Sequence, residues 1–418
     1  MLDSNTATWG IAALATFGVI ARPWRLPEFI WAVAGAALLV LFKLLPWPEA
    51  LAAAGKGTDV YLFLIGMMML AEVARNEGLF DWLAGQAVRH SRTSAKRLFL
   101  IVYVVGTIVT VVLSNDATAV VLTPAVYAAA RAAKVEPLPY LFVCAFIANA
   151  ASFVLPISNP ANLVVFGNQM PPLLAWLRIF ALPSVAAILA TYVALRWTQR
   201  RAFGASVAAI DEIAPLSLTG KLAACGILLT AAVLLTASAL DWALGLPTFV
   251  AGVVVAALVL LVGRRAPWPV LRDISWSVLP LVAGLFILVE GLNRTGVLPA
   301  LAQILKQAAA IAPHLTSWAS GILVAVASNV FNNLPVGLIA ATTTQAAQVP
   351  AQVIGAILIG VDLGPNLSVT GSLATILWLI VLRREGEHVG AAQFLKIGIV
   401  VMPPALLLSL LALSAVSP

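Results

Sequence analysis

The chain has 418 residues, of which 62% are apolar and only 10% are Asp, Glu, Lys or Arg, against roughly 25% charged in a soluble domain. So few charges cannot coat a water-exposed surface of this size, which excludes a soluble enzyme, a disordered chain and a disulfide scaffold. What remains is an all-α polytopic membrane protein. Its two cysteines, Cys144 and Cys225, lie in apolar runs and make no thiolate metal cage.

A span needs about 20 apolar residues to cross roughly 30 Å of hydrocarbon. In chain order, spans are expected near 6–21, 27–46, 58–74, 138–168, 173–195, 217–238, 245–263, 276–292, 351–382 and 392–413. Met1–Thr8 has no basic residue, so the first stretch reads as a span and not as a cleaved leader. Two further apolar stretches, 98–130 and 315–345, behave differently. In the first, Leu98–Leu113 is followed by Ser114-Asn115-Asp116 and then by Ala117–Ala130. The limbs would be about 24 and 21 Å as helix, too short to cross. Arg92, Lys96 and Arg97 precede the stretch, and Arg131 and Lys134 follow it. The segment is therefore expected to enter and leave on one side, with a polar tip in mid-membrane that faces protein or water. A second hairpin is expected at 315–345, its tip near Asn329–Pro335.

With two hairpins and ten spans, 19 of the 24 Lys and Arg fall on one face. That face is the cytoplasmic one by the positive-inside rule, with both termini outside, in a bacterial inner membrane. The bias also accounts for the net charge of +7 without a nucleic-acid partner.

The two halves resemble each other. Gly66, Glu72 and Gly78 fall opposite Gly284, Glu290 and Gly296 at an offset of 218. Asn115-Asp116 falls opposite Asn332-Asn333 at 217, and Asn149 opposite Asp362 at 213. This divides the chain into repeats at 1–196 and 217–418, joined by a basic cytoplasmic linker at 197–216. Five spans per half is odd, so the second repeat is expected upside down, a hallmark of secondary transporters with interrupted helices and a midplane site. The long spans 138–168 and 351–382 carry such interruptions at Pro156–Pro160 and Gly364–Ser372, where proline removes a helical hydrogen bond.

A carboxylate at the bilayer centre costs at least about 2.5–3.5 kcal/mol, so one there is a functional candidate. Glu72 and Glu290 sit near span ends beside Arg75 and Arg294 and read as structural pairs. Asp362 lies in a broken span. Asp116, at the hairpin tip, lies farthest from either surface. It is the candidate proton-coupling residue, with Asp362 as its companion, because desolvation disfavours the charged form and a poised acid can bind and release a proton. Asn115, Ser158, Asn159, Asn332, Asn333, Ser372 and Thr375 are expected to line the site with neutral donors and acceptors. No Lys or Arg is expected near the tips, which suits a small hydroxylated solute and disfavours a di- or tricarboxylate.

Leu113-Ser114-Asn115-Asp116 with Thr123-Pro124, Ser328…Asn332-Asn333-Leu334-Pro335, and Val361-Asp362-Leu363-Gly364-Pro365…Thr370-Gly371-Ser372-Leu373-Ala374-Thr375 resemble the ArsB-type arsenite efflux permeases of the ion transporter superfamily. The resemblance covers nearly the whole chain. It implies export of arsenite or antimonite in exchange for protons, sometimes with a soluble ATPase partner, and places the family's essential aspartate at Asp116. It also leaves Asn149 where many relatives carry an acid. The metalloid would bind as its hydroxide through oxygen and nitrogen contacts, with no resident metal or cofactor and with Cys144 dispensable. A sodium/proton antiporter of the same superfamily is the alternative. An intramembrane aspartyl protease with an Asp116–Asp362 dyad would leave Asn332-Asn333 and the repeat unexplained. Gly55-Lys56-Gly57-Thr58 lacks the upstream glycine of a P-loop.

Overall fold

A computed structural model describes residues 3–204, 207–208 and 214–416, so part of the expected linker lies outside the described residues. The first half is built from helices Ser4–Ala21 (α1), Glu28–Leu41 (α2), Trp47–Gly55 (α3), Thr58–Asn76 (α4), Leu79–His90 (α5), Ala95–Val112 (α6), Asn115–Ala117 (α7), Thr123–Ala132 (α8), Leu138–Ala150 (α9), Pro160–Phe166 (α10) and Leu173–Thr198 (α11). The second half holds Leu218–Ala239 (α12), Gly245–Gly263 (α13), Trp268–Asp273 (α14), Val278–Arg294 (α15), Val297–Ile311 (α16), Pro313–Phe331 (α17), Asn333–Ala347 (α18), Ala351–Leu363 (α19), Leu373–Arg384 (α20) and Ala391–Val416 (α21). The described residues contain helices and no strand. Among the described residues, seven helices or bent helix units are long and apolar enough to cross a membrane, and the α3–α4 pair, bent by 47°, would make an eighth.

Several boundaries differ from the apolar runs. The segment 27–46 stops being helical at Leu41, where the chain turns through a left-handed Lys43 (φ 57°). α6 starts at Ala95, three residues before its apolar run, because the Ser94 hydroxyl caps the Arg97 N–H at 3.3 Å. At 18 residues α6 is itself long enough to span, as is α17 at 19. The short helices α3, α5, α14 and α16 were not foreseen.

Packing follows the internal match. α1 lies on α2 and α12 on α13; α2 packs on α15 and α13 on α4; α6 packs on α9 and α17 on α19; α11 and α21 pack on each other. Glycines set the closest of these contacts. A methyl at Gly66 would strike the Thr248 carbonyl oxygen, one at Gly252 would lie 2.6 Å from the Gly66 oxygen, and one at Gly284 would lie 2.8 Å from Ala32 backbone. Elsewhere, a methyl at Gly360 would strike the Gly321 oxygen, and methyls at Gly364 and Gly398 would lie 2.5 Å from the oxygens of Ala325 and Asn366.

These contacts sort the helices into two groups, α1–α4 with α12–α15, and α6–α11 with α17–α21. Among the described residues, no glycine contact of this kind joins one group to the other. The same holds for ion pairs and for side-chain and loop hydrogen bonds: every one stays within a group or its flanking loops. Among the described residues the groups meet through van der Waals contact, most extensively along α4 with α10 and α15 with α18, and more thinly where α1 meets α17 and α12 meets α6 and α11. The chain passes between them beside Gly78 and Gly296, both left-handed (φ 73° and 83°) with open space around them, and through the residues after α11.

Candidate substrate site at the seam

The four polar interruptions are helix N-termini. Ser114 Oγ accepts the Ala117 N–H at 3.2 Å to cap α7, and Asn159 Oδ1 accepts the Ala161 N–H at 3.0 Å to cap α10. Asn332, left-handed at φ 68°, accepts the Leu334 N–H at 3.3 Å to cap α18, and Ser372 Oγ accepts the Thr375 N–H at 3.1 Å to cap α20. This explains Asn and Ser in otherwise apolar runs: a helix that begins inside the bilayer leaves N–H groups that water cannot satisfy.

All four starts converge on one cavity. Asn115 and Asp116, Asn159 and Pro160, Asn333 and Leu334, and Ser372 to Ala374 line it on the side of the second helix group. Val60 and Leu64 of α4 and Val278 and Val282 of α15 close the opposite side. It is small: about 20 Å³ is open to the centre of a water-sized sphere, near the minimum for one ordered water. No lining residue is a cation. Helix N-termini each carry a partial positive charge, and Asp116 is the carboxylate they surround.

Two acceptors in this cavity have no hydrogen-bond partner among the described residues. The Asp116 carboxylate accepts no hydrogen bond, its backbone N–H being taken by Asn115 Oδ1 at 2.9 Å. Asn333 Oδ1 is buried and unpartnered. A buried unmatched acceptor such as Asn333 Oδ1 costs on the order of 1–3 kcal/mol, which a solute with hydroxyl donors would recover, and the half-buried Asp116 carboxylate is open to the same donors.

Two further cavities adjoin it. A second cavity of about 70 Å³ by the same measure shares Asp116, Leu64, Pro160 and Val278 and runs past Met67, Met68 and Ala71 to Glu72 and Asp273. A wide vestibule of about 670 Å³ shares Val60 and opens past Asp59, Lys56, Glu290 and Asp241. One stripe of α4, at residues 60, 64, 67, 68, 71 and 72, therefore walls the whole route, over about 18 Å of helix.

Of the residues expected to line the site, Asn115, Asp116, Asn159, Asn333 and Ser372 do so. Ser158, Asn332 and Thr375 are not on its surface. Ser158 donates to the Val111 carbonyl at 3.0 Å, tying the unwound segment to α6. Asn332 Nδ2 donates to Thr370 O at 3.1 Å, and Thr375 Oγ1 pairs with Ser372 at 2.9 Å. Asp362 stands one residue behind the cavity. Its Oδ1 accepts from Asn159 Nδ2 at 2.8 Å, while its buried Oδ2 has no partner. A carboxyl dyad with Asp116 is thus not assembled. Asn149 is fully engaged: Nδ2 donates to Asn366 Oδ1 at 2.9 Å and to Thr375 Oγ1 at 3.4 Å, and Oδ1 accepts from Ser372 at 3.3 Å. Asn366 closes the link by donating to Phe146 O at 3.0 Å. A neutral amide network here pins α9 to the break between α19 and α20.

Glu72 pairs with Arg75, which also reaches Asp273 at 2.9 Å. Glu290 pairs with Lys56 at 2.6 Å, and Arg294 with Glu49. The expected Glu290–Arg294 pairing is therefore wrong. Helix α3 and the residue that ends it, Lys56, supply the partners, as i,i+4 spacing along α15 could not show. Cys144 is buried against α9's own backbone, 3.8 Å from Tyr140 O, and lines none of the three cavities. Cys144→Ala is expected to keep activity within about twofold of wild type, since the change removes no group that lines a cavity and little volume.

Three comparisons bear on identity. The model of the CitMHS family, described as citrate transporter, matches residues 14–361. An "Arsenical pump membrane protein" of Escherichia coli is 27% identical over 363 residues, 84% of each chain. An uncharacterized transporter of Mycobacterium tuberculosis is 24% identical over 397 residues, 90% of this chain and 91% of its own. The solved structure of the Alcanivorax borkumensis YdaH transporter superposes with a TM-score of 0.57 at 17% identity, covering 88% of this chain and 86% of that one, a likeness of fold. The resemblance to arsenite permeases read from the motifs thus extends over most of the sequence, and the chain belongs to the CitMHS family of multi-pass membrane transporters.

Proposed function

We propose that this protein exports trivalent arsenite and antimonite from the cytoplasm in exchange for protons. The observation that carries the reading is the pair of unpartnered acceptors, Asp116 carboxylate and Asn333 Oδ1, in a small cavity without a cation. Trivalent arsenic hydroxide is neutral near pH 7 and offers three O–H donors. A tricarboxylate offers acceptors and would meet Asp116. Proton and cargo compete for the same oxygen. Ionised Asp116 accepts a hydrogen bond from the hydroxide on the cytoplasmic side, and protonation from outside weakens that bond and releases the cargo.

The seam supports alternating access by one body moving against another. α6–α11 and α17–α21 carry the four capped N-termini at the cavity, and among the described residues no polar tie fastens them to α1–α4 and α12–α15. Gly78 and Gly296 supply turns that can flex. In the orientation with both termini outside, Lys56 and Glu290 lie on the outer face, and the wide vestibule beside them supports reading this as an outward-facing state. Cysteines at 132 and 348, both exposed, should then be labelled from opposite faces of the membrane; labelling from one face refutes the inverted repeat.

The function is tested by uptake of arsenite into everted vesicles with and without an imposed pH gradient, with citrate as the second substrate. Arsenite accumulation that requires the gradient is expected. Citrate uptake without arsenite uptake refutes the reading, and sodium-dependent proton flux without arsenite would make the chain a sodium/proton antiporter. Stimulation by ATP would require the soluble ATPase partner.

A further inference from the structure

The cavity has two unlike halves, and only the polar half has been given a role. The other half is four buried side chains, Val60, Leu64, Val278 and Val282. They repeat the internal match: 60 and 278, and 64 and 282, are each 218 apart, the offset that relates Gly66 to Gly284. The wall is rigid. α4 is pressed against α13 at Gly66 and Gly252, and α15 against α2 at Gly284, by backbone contacts that leave no room for a methyl group. Interiors packed this way do not yield, so room for a solute larger than one water has to come from the polar half moving back from the wall.

We propose that this apolar wall, not the polar half, sets which trivalent metalloid hydroxide is carried, with Val60 and Val282 as the residues that fix its size limit. The inference deepens the arsenite reading and rests on it. A trivalent arsenic or antimony hydroxide is a shallow pyramid, with hydroxyls on one face and a lone pair on the other. The hydroxyls meet Asp116, Asn333 and the capped N-termini. The lone-pair face, which makes no hydrogen bond, meets the wall. The polar half cannot tell the two solutes apart, because both offer the same three donors. Antimony is the larger atom with the longer bonds to oxygen, so the distance from wall to acceptors separates them. Leu64 and Val278 also line the narrower cavity, whereas Val60 is shared only with the far wider vestibule and Val282 with neither, so this pair reports on the site and Val282 does so alone.

The test measures initial rates of arsenite and antimonite entry into everted vesicles for wild type, Val60→Ala, Val282→Ala, Val60→Ile and Val282→Ile, normalised to protein in the membrane. Trimming either valine is expected to raise the antimonite-to-arsenite ratio by roughly three- to tenfold, at or below the low end of what one methylene decides in a pocket. The isoleucine variants should lower it. A ratio within about twofold of wild type in every active variant overturns the proposal. So does loss of both substrates in all four variants at normal membrane levels, because a residue that sets selectivity spares one of them. Wild-type vesicles that carry neither solute would instead refute the functional reading, and this inference with it.

Discussion

Asp116→Asn is expected to lower pH-driven arsenite uptake by about 100-fold, close to the loss of one charge-assisted hydrogen bond at the upper end of its range of about 1.5–3 kcal/mol. Asparagine keeps the volume of aspartate and disturbs neither the Ser114 cap nor the Asn115 contact to the 116 N–H, so folding and membrane level should be unchanged. What it removes is the site for which proton and cargo compete. Any residual flux should therefore no longer respond to an imposed gradient, and Asp116→Glu should recover part of the coupled rate. Asp362→Asn is the control. Asp362 reaches the cavity only through Asn159, so its loss should weaken apparent affinity several-fold while leaving the dependence on the gradient in place. Uptake by Asp116→Asn that still follows the pH gradient at the wild-type rate would remove Asp116 from the coupling, and loss of that dependence in Asp362→Asn alone would transfer the role.

Gly360→Val is expected to be the most damaging substitution outside the cavity. Even a methyl there strikes the Gly321 carbonyl oxygen on α17, and the neighbouring contact at Gly364 keeps the two helices from separating by rotation. Overpacking a core typically costs about 1–3 kcal/mol, and more where the obstruction is backbone that no rotamer change can clear. The purified variant in detergent should melt well below wild type or fail to accumulate. Gly10→Ala makes the contrast. Nothing lies within 4 Å of a methyl there, and replacing glycine inside α1 should stabilise by about 0.5–1 kcal/mol. Equal melting of both variants and wild type would mean that α17 and α19 are not packed this closely.

Much of the site was legible because its residues answer to local physics. A carboxylate in mid-membrane and neutral polar residues at breaks in apolar runs stand out, and Asn115, Asp116, Asn159, Asn333 and Ser372 line the cavity as that signal suggests. Ser158, Asn332 and Thr375 were placed in the same lining on polarity alone. Their polar groups turn to nearby backbone or caps, a choice that depends on which way the unwound segments bend. The wall was missed although its signal was present, since Val60 and Val278 obey the offset that picked out the glycines; valine in a span carries no chemical flag. The short helices α3, α5, α14 and α16 escaped because they are amphipathic or charged at their ends and break no apolar run. The partners of Glu290 and Arg294 lie more than 200 residues away and follow from tertiary packing.

The long helices α11 and α21, 26 residues each, belong to the group that carries the capped N-termini, and they turn Leu174, Leu189, Val193, Leu407 and Leu411 outward. If that group travels across the bilayer, its greasy girdle travels with it, and lipid must thin, thicken or tilt to follow, at fractions of a kcal/mol per Å of mismatch. Acyl-chain length then becomes a control knob. The same protein reconstituted in progressively longer lipids should turn over at different speeds even though no group that touches the cargo has changed.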